Sequence, residues 1–146
     1  SEAASNRQAQ MEKRMRKTEN LLIQNPVEAD VQHETADILY LGFISTKGAI
    51  QEGKSRLESQ NIKVNHIQIR QLHPFPSETI QKEVDKASKV VVVEHNYQGQ
   101  LANILKMNVN LGDKLVNQTK YDGTPFLPHE IETNGLEIAK EIKELV

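Results

Sequence analysis

The sequence predicts an α/β protein of three layers, in which a mostly parallel sheet of four to five strands has helices on both faces. Two observations indicate this fold. The segments ILYLGFI and KVVVVE are short, continuous apolar runs, which are typical of strands buried on both faces. Segments with helical spacing of apolar residues separate the strands, and this alternation favours parallel strands joined by right-handed crossovers.

Residues 1–35 are predicted to be a connector helix and a linker, and residues 36–146 the α/β domain. The first helix has only a thin apolar stripe, and Pro26 ends it because proline cannot continue a helix. Two interpretations stay open: a solvated helix, or a connector that docks on a neighbouring domain. The following segment, VEADVQHETA, is a polar link or at most an edge strand.

The first apolar run leads into STKGAIQEGKSRLESQ, where Ile50 lies on the apolar face of a predicted helix. Ser45 or Thr46 is positioned to cap that helix. The next segment, IKVNHIQIR, alternates apolar and polar residues, which predicts a strand with one face less deeply buried.

In the second half, Ser77 is positioned to cap the helix ETIQKEVDKAS. The strand KVVVVE leads to the helix QLANILKMNVN, with Gly112 just past its end. The remaining segments are a weaker strand, KLVNQTKY, a turn-rich connection, GTPFLPHEI, and a final helix, NGLEIAKEIKELV, with Ile138, Ile142 and Leu145 on its apolar face.

Composition excludes several functions for a chain of 146 residues. The net charge is −2 and aromatic residues are only 4%, so no basic, aromatic surface for nucleic acid is expected. Cysteine is absent, which excludes disulfides, a cysteine nucleophile and cysteine-ligated clusters within the chain. No apolar run is long enough to cross a membrane. A cytoplasmic location fits these features.

Polar side chains follow two of the predicted strands, at the edge where α/β sheets bind ligands. The first corner, residues 44–48, contains Ser45, Thr46, Lys47 and Gly48. The second corner, residues 94–100, contains Glu94, His95, Asn96, Gly99 and Gln100. If the two strands are neighbours, both corners lie on one rim of the sheet.

The first corner suits an anion, because it combines hydroxyls, a lysine and backbone N–H groups at a helix start. It lacks the glycines of a phosphate-binding P-loop, so an ordinary capped turn is the favoured interpretation. At the second corner, Glu94 is a conceivable general base with a raised pKa. The favoured interpretation is structural: Glu94 accepts hydrogen bonds from loop N–H groups and Asn96 shapes the turn. No catalytic, metal-binding or cofactor-binding residue is predicted.

Four segments in register carry a resemblance to a known family: ADILYLGFISTKGAIQEGKSRLESQNIKV, HIQIRQLHPFP, KVVVVEHNYQGQLANIL and YDGTPFLPHEI. They resemble the C-terminal part of the alpha subunit of 2-oxoacid:ferredoxin oxidoreductases, most nearly the 2-oxoglutarate type. The resemblance covers roughly residues 36–131, and the RMRK helix resembles the family's connector. It implies a transketolase C-terminal-like domain, also called core domain II, whose edge strand can run antiparallel.

The resemblance implies an enzyme that oxidatively decarboxylates a 2-oxoacid on thiamine diphosphate and Mg, forming an acyl-CoA. Electrons pass through an iron–sulfur cluster to ferredoxin. Other domains of the alpha subunit and the beta subunit hold these groups, so this piece has an assembly role and no catalytic residue. Its corners match the family patterns S-T-x-G and E-x-N-x-x-G-Q, and they are expected to face another domain or subunit.

The chain departs from the family at two positions. Ile44 stands where glycine is common, and Leu127 stands where a helix-capping threonine is common. The loss of glycine weakens the expectation that a ligand approaches the backbone at the first corner. The alternative function is a stand-alone module that binds a small anion, such as a nucleotide or a CoA-like group, at the rim.

Overall fold

A computed structural model of the chain describes residues 25–95 and 100–145. The predicted connector helix and the candidate residues Asn96 and Gly99 lie outside these ranges. The strands are β1 (Val27–Asp30), β2 (Ala36–Phe43), β3 (Val64–Ile69), β4 (Ala87–His95) and β5 (Leu115–Lys120). The helices are α1 (Lys47–Glu58), α2 (Ser77–Lys86), α3 (Gln100–Asn108) and α4 (Pro128–Glu144), and a short 3-10 turn covers Ile44–Thr46.

The five strands form one sheet in the order β1-β3-β2-β4-β5. The pairs β2–β3, β2–β4 and β4–β5 are parallel, whereas β1 pairs with β3 in the antiparallel direction. The predicted mostly parallel sheet is therefore confirmed, and VEAD is an antiparallel edge strand. Because β2 to β5 are parallel, their last residues share one side of the sheet, called here the carboxyl edge.

The sheet has an apolar core on each face, as the predicted three-layer arrangement requires. On one face, Leu39 and Val92 pack with residues of α2 and α3, including Ile80 and Leu105. On the other face, strand residues pack with residues of α1 and α4. The strand residues are Ile38, Tyr40, Val91 and Val93, and the helix residues are Ile50, Leu57 and Ile131. Strands buried on both sides explain why the two apolar runs show no alternation.

The helices α1 and α4 approach closely because two glycines lie between them. A methyl group on Gly53 would meet the side chain of Ile131, and one on Gly135 would meet Leu57 and the hydroxyl of Tyr40. That hydroxyl donates a hydrogen bond to the backbone oxygen of Ile131 at 3.3 Å. None of the helices among the described residues is long and apolar enough to cross a bilayer.

The prediction that β3 has a less buried face was wrong. All six residues of β3 are buried, including Asn65, His66 and Gln68. Their polar groups are satisfied within the fold: Asn65, for example, exchanges two hydrogen bonds with the backbone of His33. The polar residues of β3 are therefore buried and paired within the fold on both faces of the sheet, and none of them faces water.

Two expectations about helix ends also differ from the structure, and a third needs an addition. Ser77 does not cap α2, since its hydroxyl donates to the backbone oxygen of Phe75 at 3.4 Å. Leu145 is 79% exposed and does not extend the apolar face of α4. Leu127 makes no side-chain cap, as expected, but the carboxylate of Glu130 accepts its N–H at 2.8 Å and supports the helix start.

Candidate functional site

The first corner joins β2 to α1 through a tight turn. Ile44 has a φ of 60°, a backbone conformation that β-branched residues rarely adopt, and its side chain is 67% exposed. Thr46 is the N-cap residue of α1 but makes no cap hydrogen bond. Its hydroxyl accepts the N–H of Phe43 at 3.2 Å instead. The predicted cap by Ser45 or Thr46 was therefore wrong, because the threonine stabilises the turn and not the helix.

A buried glutamine supports this turn from beneath. The amide nitrogen of Gln68 donates to the backbone oxygen of Ile44 at 3.3 Å and lies 3.5 Å from the hydroxyl of Thr46. The amide oxygen of Gln68 lies 3.0 Å from Nε2 of His66, so that ring nitrogen is the donor. A side chain on Gly42 would collide with both Gln68 and Thr46, which explains the glycine at this position.

His66 is buried beneath the first corner. Burial lowers the pKa of the imidazole, and the hydrogen bond to Gln68 and the charge of Asp30 only partly oppose this effect. The ring is therefore held in its neutral form. Nearby, Lys54 is also buried, and its ammonium group pairs with Asp30 at 3.2 Å. The layer between β1 and α1 is thus polar and internally paired.

An open cleft of about 600 Å³ adjoins the first corner and lies at the ends of β2 and β3. Lys47 and Glu28 form an ion pair of 2.7 Å at its side. The hydrogen bond from Lys47 holds the pKa of Glu28 below its usual range, and Arg70 contributes through its charge. The cleft is lined by Glu28, Phe43, Ile44, Lys47, Gln68, Ile69 and Arg70.

The described strand end of the second corner, Glu94 and His95, is buried, whereas the first corner adjoins an open cleft. Glu94 is only 5% exposed, and its Oε2 accepts the N–H of Ala102 in the first turn of α3 at 2.8 Å. A carboxylate in this position caps the helix and complements its dipole. The structure thus favours the structural interpretation of Glu94, although the N–H belongs to the helix and not to a loop.

The remaining described residues of the second corner differ in burial. His95 is buried, and its ring lies 5.2 Å from the ring of Phe126. The ammonium group of Lys120 lies 5.8 Å from the same ring and pairs with Glu130 at 2.8 Å. Gln100 is exposed and is the first residue of α3.

The structure brings both corners to the carboxyl edge, because β2 and β4 are neighbours with Gly42 opposite Val93. Four residues around the first corner were not predicted from the sequence: Glu28, His66, Gln68 and Arg70. Glu28 and Arg70 are distant from residues 44–48 in the sequence. Only the pairing of β1 with β3 brings them next to the first corner. The one available signal was the run of polar residues within an otherwise apolar strand.

The cofactors implied by the resemblance have no fitting donor set in the described part of the chain. Iron–sulfur clusters need thiolates, and the sequence contains no cysteine. Within residues 25–95 and 100–145, no group of three or more His, Asp or Glu side chains is arranged to hold a metal ion.

Comparison with known families identifies the domain. The model of the family described as pyruvate:ferredoxin oxidoreductase core domain II matches residues 36–131. The chain belongs to this family. The match covers most of the described sheet together with both corners, and it has the same limits as the resemblance seen in the sequence.

Curated members of related enzymes support the assignment. The alpha subunit of a 2-oxoacid:ferredoxin oxidoreductase from Saccharolobus solfataricus is 31% identical over 134 residues, which are 90% of this chain and 21% of that subunit. The 2-oxoglutarate oxidoreductase subunit KorA of Mycobacterium tuberculosis is 34% identical over 105 residues, or 72% of this chain and 16% of that subunit. The core domain II chain thus spans about a fifth of the length of the curated relatives that it matches.

Solved structures agree with the core domain II assignment. A 2-oxoglutarate:ferredoxin oxidoreductase from Magnetococcus marinus, with 2-oxoglutarate, coenzyme A and succinyl-CoA bound, matches 92% of this chain and 23% of its own with a TM-score of 0.74 and 26% identity. A transketolase from Campylobacter jejuni matches 79% of this chain and 19% of its own with a TM-score of 0.56 and 13% identity. The second likeness shows the transketolase-like fold alone.

Proposed function

We propose that the chain is core domain II of the alpha subunit of a 2-oxoacid:ferredoxin oxidoreductase, and that it has an assembly role without catalytic residues of its own. The family match over residues 36–131 carries this proposal. The whole enzyme would oxidatively decarboxylate a 2-oxoacid in the cytoplasm and form an acyl-CoA. Residues 36–146 would form the domain, and residues 1–35 would connect it to the preceding domain.

We propose 2-oxoglutarate as the 2-oxoacid. Two observations support this choice: the M. tuberculosis relative is a 2-oxoglutarate oxidoreductase subunit, and the M. marinus structure contains 2-oxoglutarate and succinyl-CoA. The remaining domains of the alpha subunit and a beta subunit would bind thiamine diphosphate, Mg and the iron–sulfur cluster. Ferredoxin and CoA would be the other partners of the whole enzyme.

In this proposal the carboxyl edge faces a neighbouring domain or subunit. Three exposed apolar residues support it, because they lie on the turns and helix start at that edge: Ile44 after β2, Tyr121 after β5, and Leu127 before α4. Exposed apolar side chains are common at contact surfaces, and two further ones, Met107 and Leu145, lie at helix ends away from these turns. The buried Glu94 would set the start of α3 and thereby the shape of this surface.

Purification of the native complex tests the proposed activity. The chain, carrying an affinity tag, is isolated with its partners from its own cells, and reduction of a viologen dye is followed. We expect dye reduction that requires both 2-oxoglutarate and CoA. Dye reduction with pyruvate and CoA, and not with 2-oxoglutarate and CoA, would change the proposed substrate but not the proposed class of enzyme. A complex that reduces the dye with no 2-oxoacid would overturn the proposal.

Hydrogen exchange tests the proposed orientation. Peptides that cover the first corner and the segment from Tyr121 to Leu127 are compared in the isolated chain and in the assembled enzyme. We expect slower exchange of these peptides in the assembly, while peptides from the buried strand β3 exchange equally slowly in both. Equal protection at the carboxyl edge in the two samples would contradict a contact there.

A further inference from the structure

We propose that the cleft beside the first corner binds a small organic anion, with its carboxylate or phosphate group on Arg70 and Lys47 and its apolar body against Ile44. Ile44 is shared with the contact surface proposed above, so the ligand site is a property of the free chain and is tested there, separately from assembly. The cleft has about 600 Å³, within the range of small-molecule sites. It also lies at the carboxyl edge, where open α/β sheets bind their ligands.

The charges in the cleft favour an anion. Lys47 is paired with Glu28, and this carboxylate is the only acidic side chain that lines the cleft among the described residues. Arg70 is exposed, and within residues 25–95 and 100–145 its guanidinium group makes no ion pair or hydrogen bond, although its charge acts on Glu28. The cleft therefore has one cation in excess. A guanidinium group binds carboxylates and phosphates through two parallel hydrogen bonds.

The backbone holds Arg70 in place for such a contact. The N–H of Arg70 donates to the backbone oxygen of Pro26 at 2.9 Å, which extends the pairing of β1 with β3 by one residue. The side chain thus starts from a fixed point at the end of the sheet. Only the guanidinium arm has to become ordered when an anion binds, which limits the entropy cost.

The wall beside these charges is apolar. Phe43, Ile44 and Ile69 line the cleft together with the cations. Ile44 is held in its uncommon backbone conformation by the hydrogen bond from Gln68 to its oxygen, and this conformation leaves its side chain 67% exposed. A ligand with an apolar body would cover this side chain, so the ligand class is an organic anion and not a bare inorganic ion.

A second open cleft provides a contrast within the same molecule. It has about 450 Å³ and lies where α3 ends and β5 begins, on the opposite side of the sheet from the carboxyl edge. Lys106 is its only cationic lining residue among those described, and no arginine contributes to it. This cleft also has one cation in excess, but a lysine lacks the two parallel hydrogen bonds of a guanidinium group, so we expect anionic probes to perturb the first corner more strongly than this second cleft.

Titration of the 146-residue chain, followed by amide NMR shifts, tests the site with matched probes. Benzoate is compared with acetate, and phenyl phosphate with inorganic phosphate; benzyl alcohol is the neutral control. We expect the aromatic anions to bind several-fold more tightly than the bare anions, with shifts at residues 43–48 and 68–70. Which of benzoate and phenyl phosphate binds more tightly distinguishes the carboxylate from the phosphate. The absence of shifts with every anion up to about 10 mM would overturn the proposal.

Three variants make the test specific. Arg70→Gln should weaken both aromatic anions about tenfold, since it removes a charge-assisted hydrogen bond. Ile44→Asn should weaken the aromatic anions but leave acetate and phosphate unchanged. Lys140→Gln, which removes an exposed cation from the second half of α4, should change nothing. Binding that is insensitive to both Arg70→Gln and Ile44→Asn would place the ligand elsewhere and would end the proposal.

Discussion

The two corners occupy equivalent places in the fold but are built in opposite ways. Each follows a parallel strand and leads into a helix at the carboxyl edge. At the second corner, the buried carboxylate of Glu94 accepts the N–H of Ala102, and the ring of His95 lies near that of Phe126. At the first corner, the hydroxyl of Thr46 and the amide of the underlying Gln68 bond to the backbone of Phe43 and Ile44. The side chains of Ile44 and Ser45 are exposed, and Lys47 and Arg70 line the cleft.

This difference shows that the position of a corner in an α/β sheet does not by itself determine its use. The second corner uses its charge inside the fold, to stabilise the start of α3. The first corner satisfies its turn with neutral amide and hydroxyl groups, which leaves Lys47 and Arg70 at the surface. We therefore expect acidic side chains to matter for stability at the second corner and much less at the first.

The largest expected effect comes from removing Glu94. Glu94→Ala eliminates a charge-assisted hydrogen bond to a helix N–H in a buried place, and should lower the free energy of unfolding by about 2–3 kcal/mol. Glu28→Ala, at the exposed ion pair of the first corner, should lower the free energy of unfolding far less, because water screens an exposed ion pair. Urea unfolding of both variants measures the contrast. Equal losses of unfolding free energy in the two variants would show that both corners depend equally on their acidic side chains.

Several features of this contrast were predictable from sequence and others were not. The order of strands and helices followed from apolar runs such as the four valines of β4, because burial on both faces leaves a continuous pattern. The shared rim of the two corners was predicted only on the condition that β2 and β4 are neighbours, and the structure supplies that pairing. The polar layer on β3 was misread, since alternation looks the same whether the polar face meets water or a buried network. His66 and Gln68 are satisfied by each other and by the backbone of Ile44, contacts that no local pattern encodes.

The residues of the candidate site also fall into those that could be predicted from the sequence and those that could not. Its residues at strand ends were found because topology alone places them there. Arg70 and Glu28 were missed because they meet only through the antiparallel pairing of β1 with β3, which depends on tertiary structure. The wrong cap at Thr46 has a similar cause. A hydroxyl near a helix start can bond either forward to the helix or back to the strand, and its surroundings decide which.

The next largest effect on stability is expected at two glycines, Gly42 of β2 just before the first corner and Gly48 at its end. Gly42→Ala should lower the free energy of unfolding by about 1–3 kcal/mol, because the new methyl group would collide with Gln68 and Thr46 beneath the turn. Gly48→Ala should raise it by about 0.5–1 kcal/mol, since this glycine lies within α1 and nothing is near its Cβ position. Thermal unfolding of both variants measures the two signs. Destabilisation by Gly48→Ala would contradict the open surface described for this corner.

A smaller effect, confined to acidic solution, is expected from His66. Its folded pKa lies below the unfolded value, so the unfolded chain binds more protons, and stability falls as the pH drops below about 6.5. Asp30 and Glu28 on β1 and Lys54 on α1 are the charged groups around the ring. His66→Gln should reduce the loss of stability between about pH 7 and pH 5, measured by urea unfolding. An unchanged pH profile would show that the buried ring does not cause the loss.

The smallest expected effect on stability concerns the backbone conformation of Ile44. Asn61 has a similar conformation and serves as a matched comparison. Asn61 is exposed and has a φ of 65°, close to the 60° of Ile44, but asparagine tolerates this conformation whereas isoleucine does not. We expect Ile44→Asn to raise the free energy of unfolding by about 0.5–1 kcal/mol and Asn61→Ile to lower it by a similar amount. Urea unfolding of the two single variants tests this. A loss of stability in Ile44→Asn would mean that the exposed side chain stabilises the free domain, and the first corner would then resemble the second.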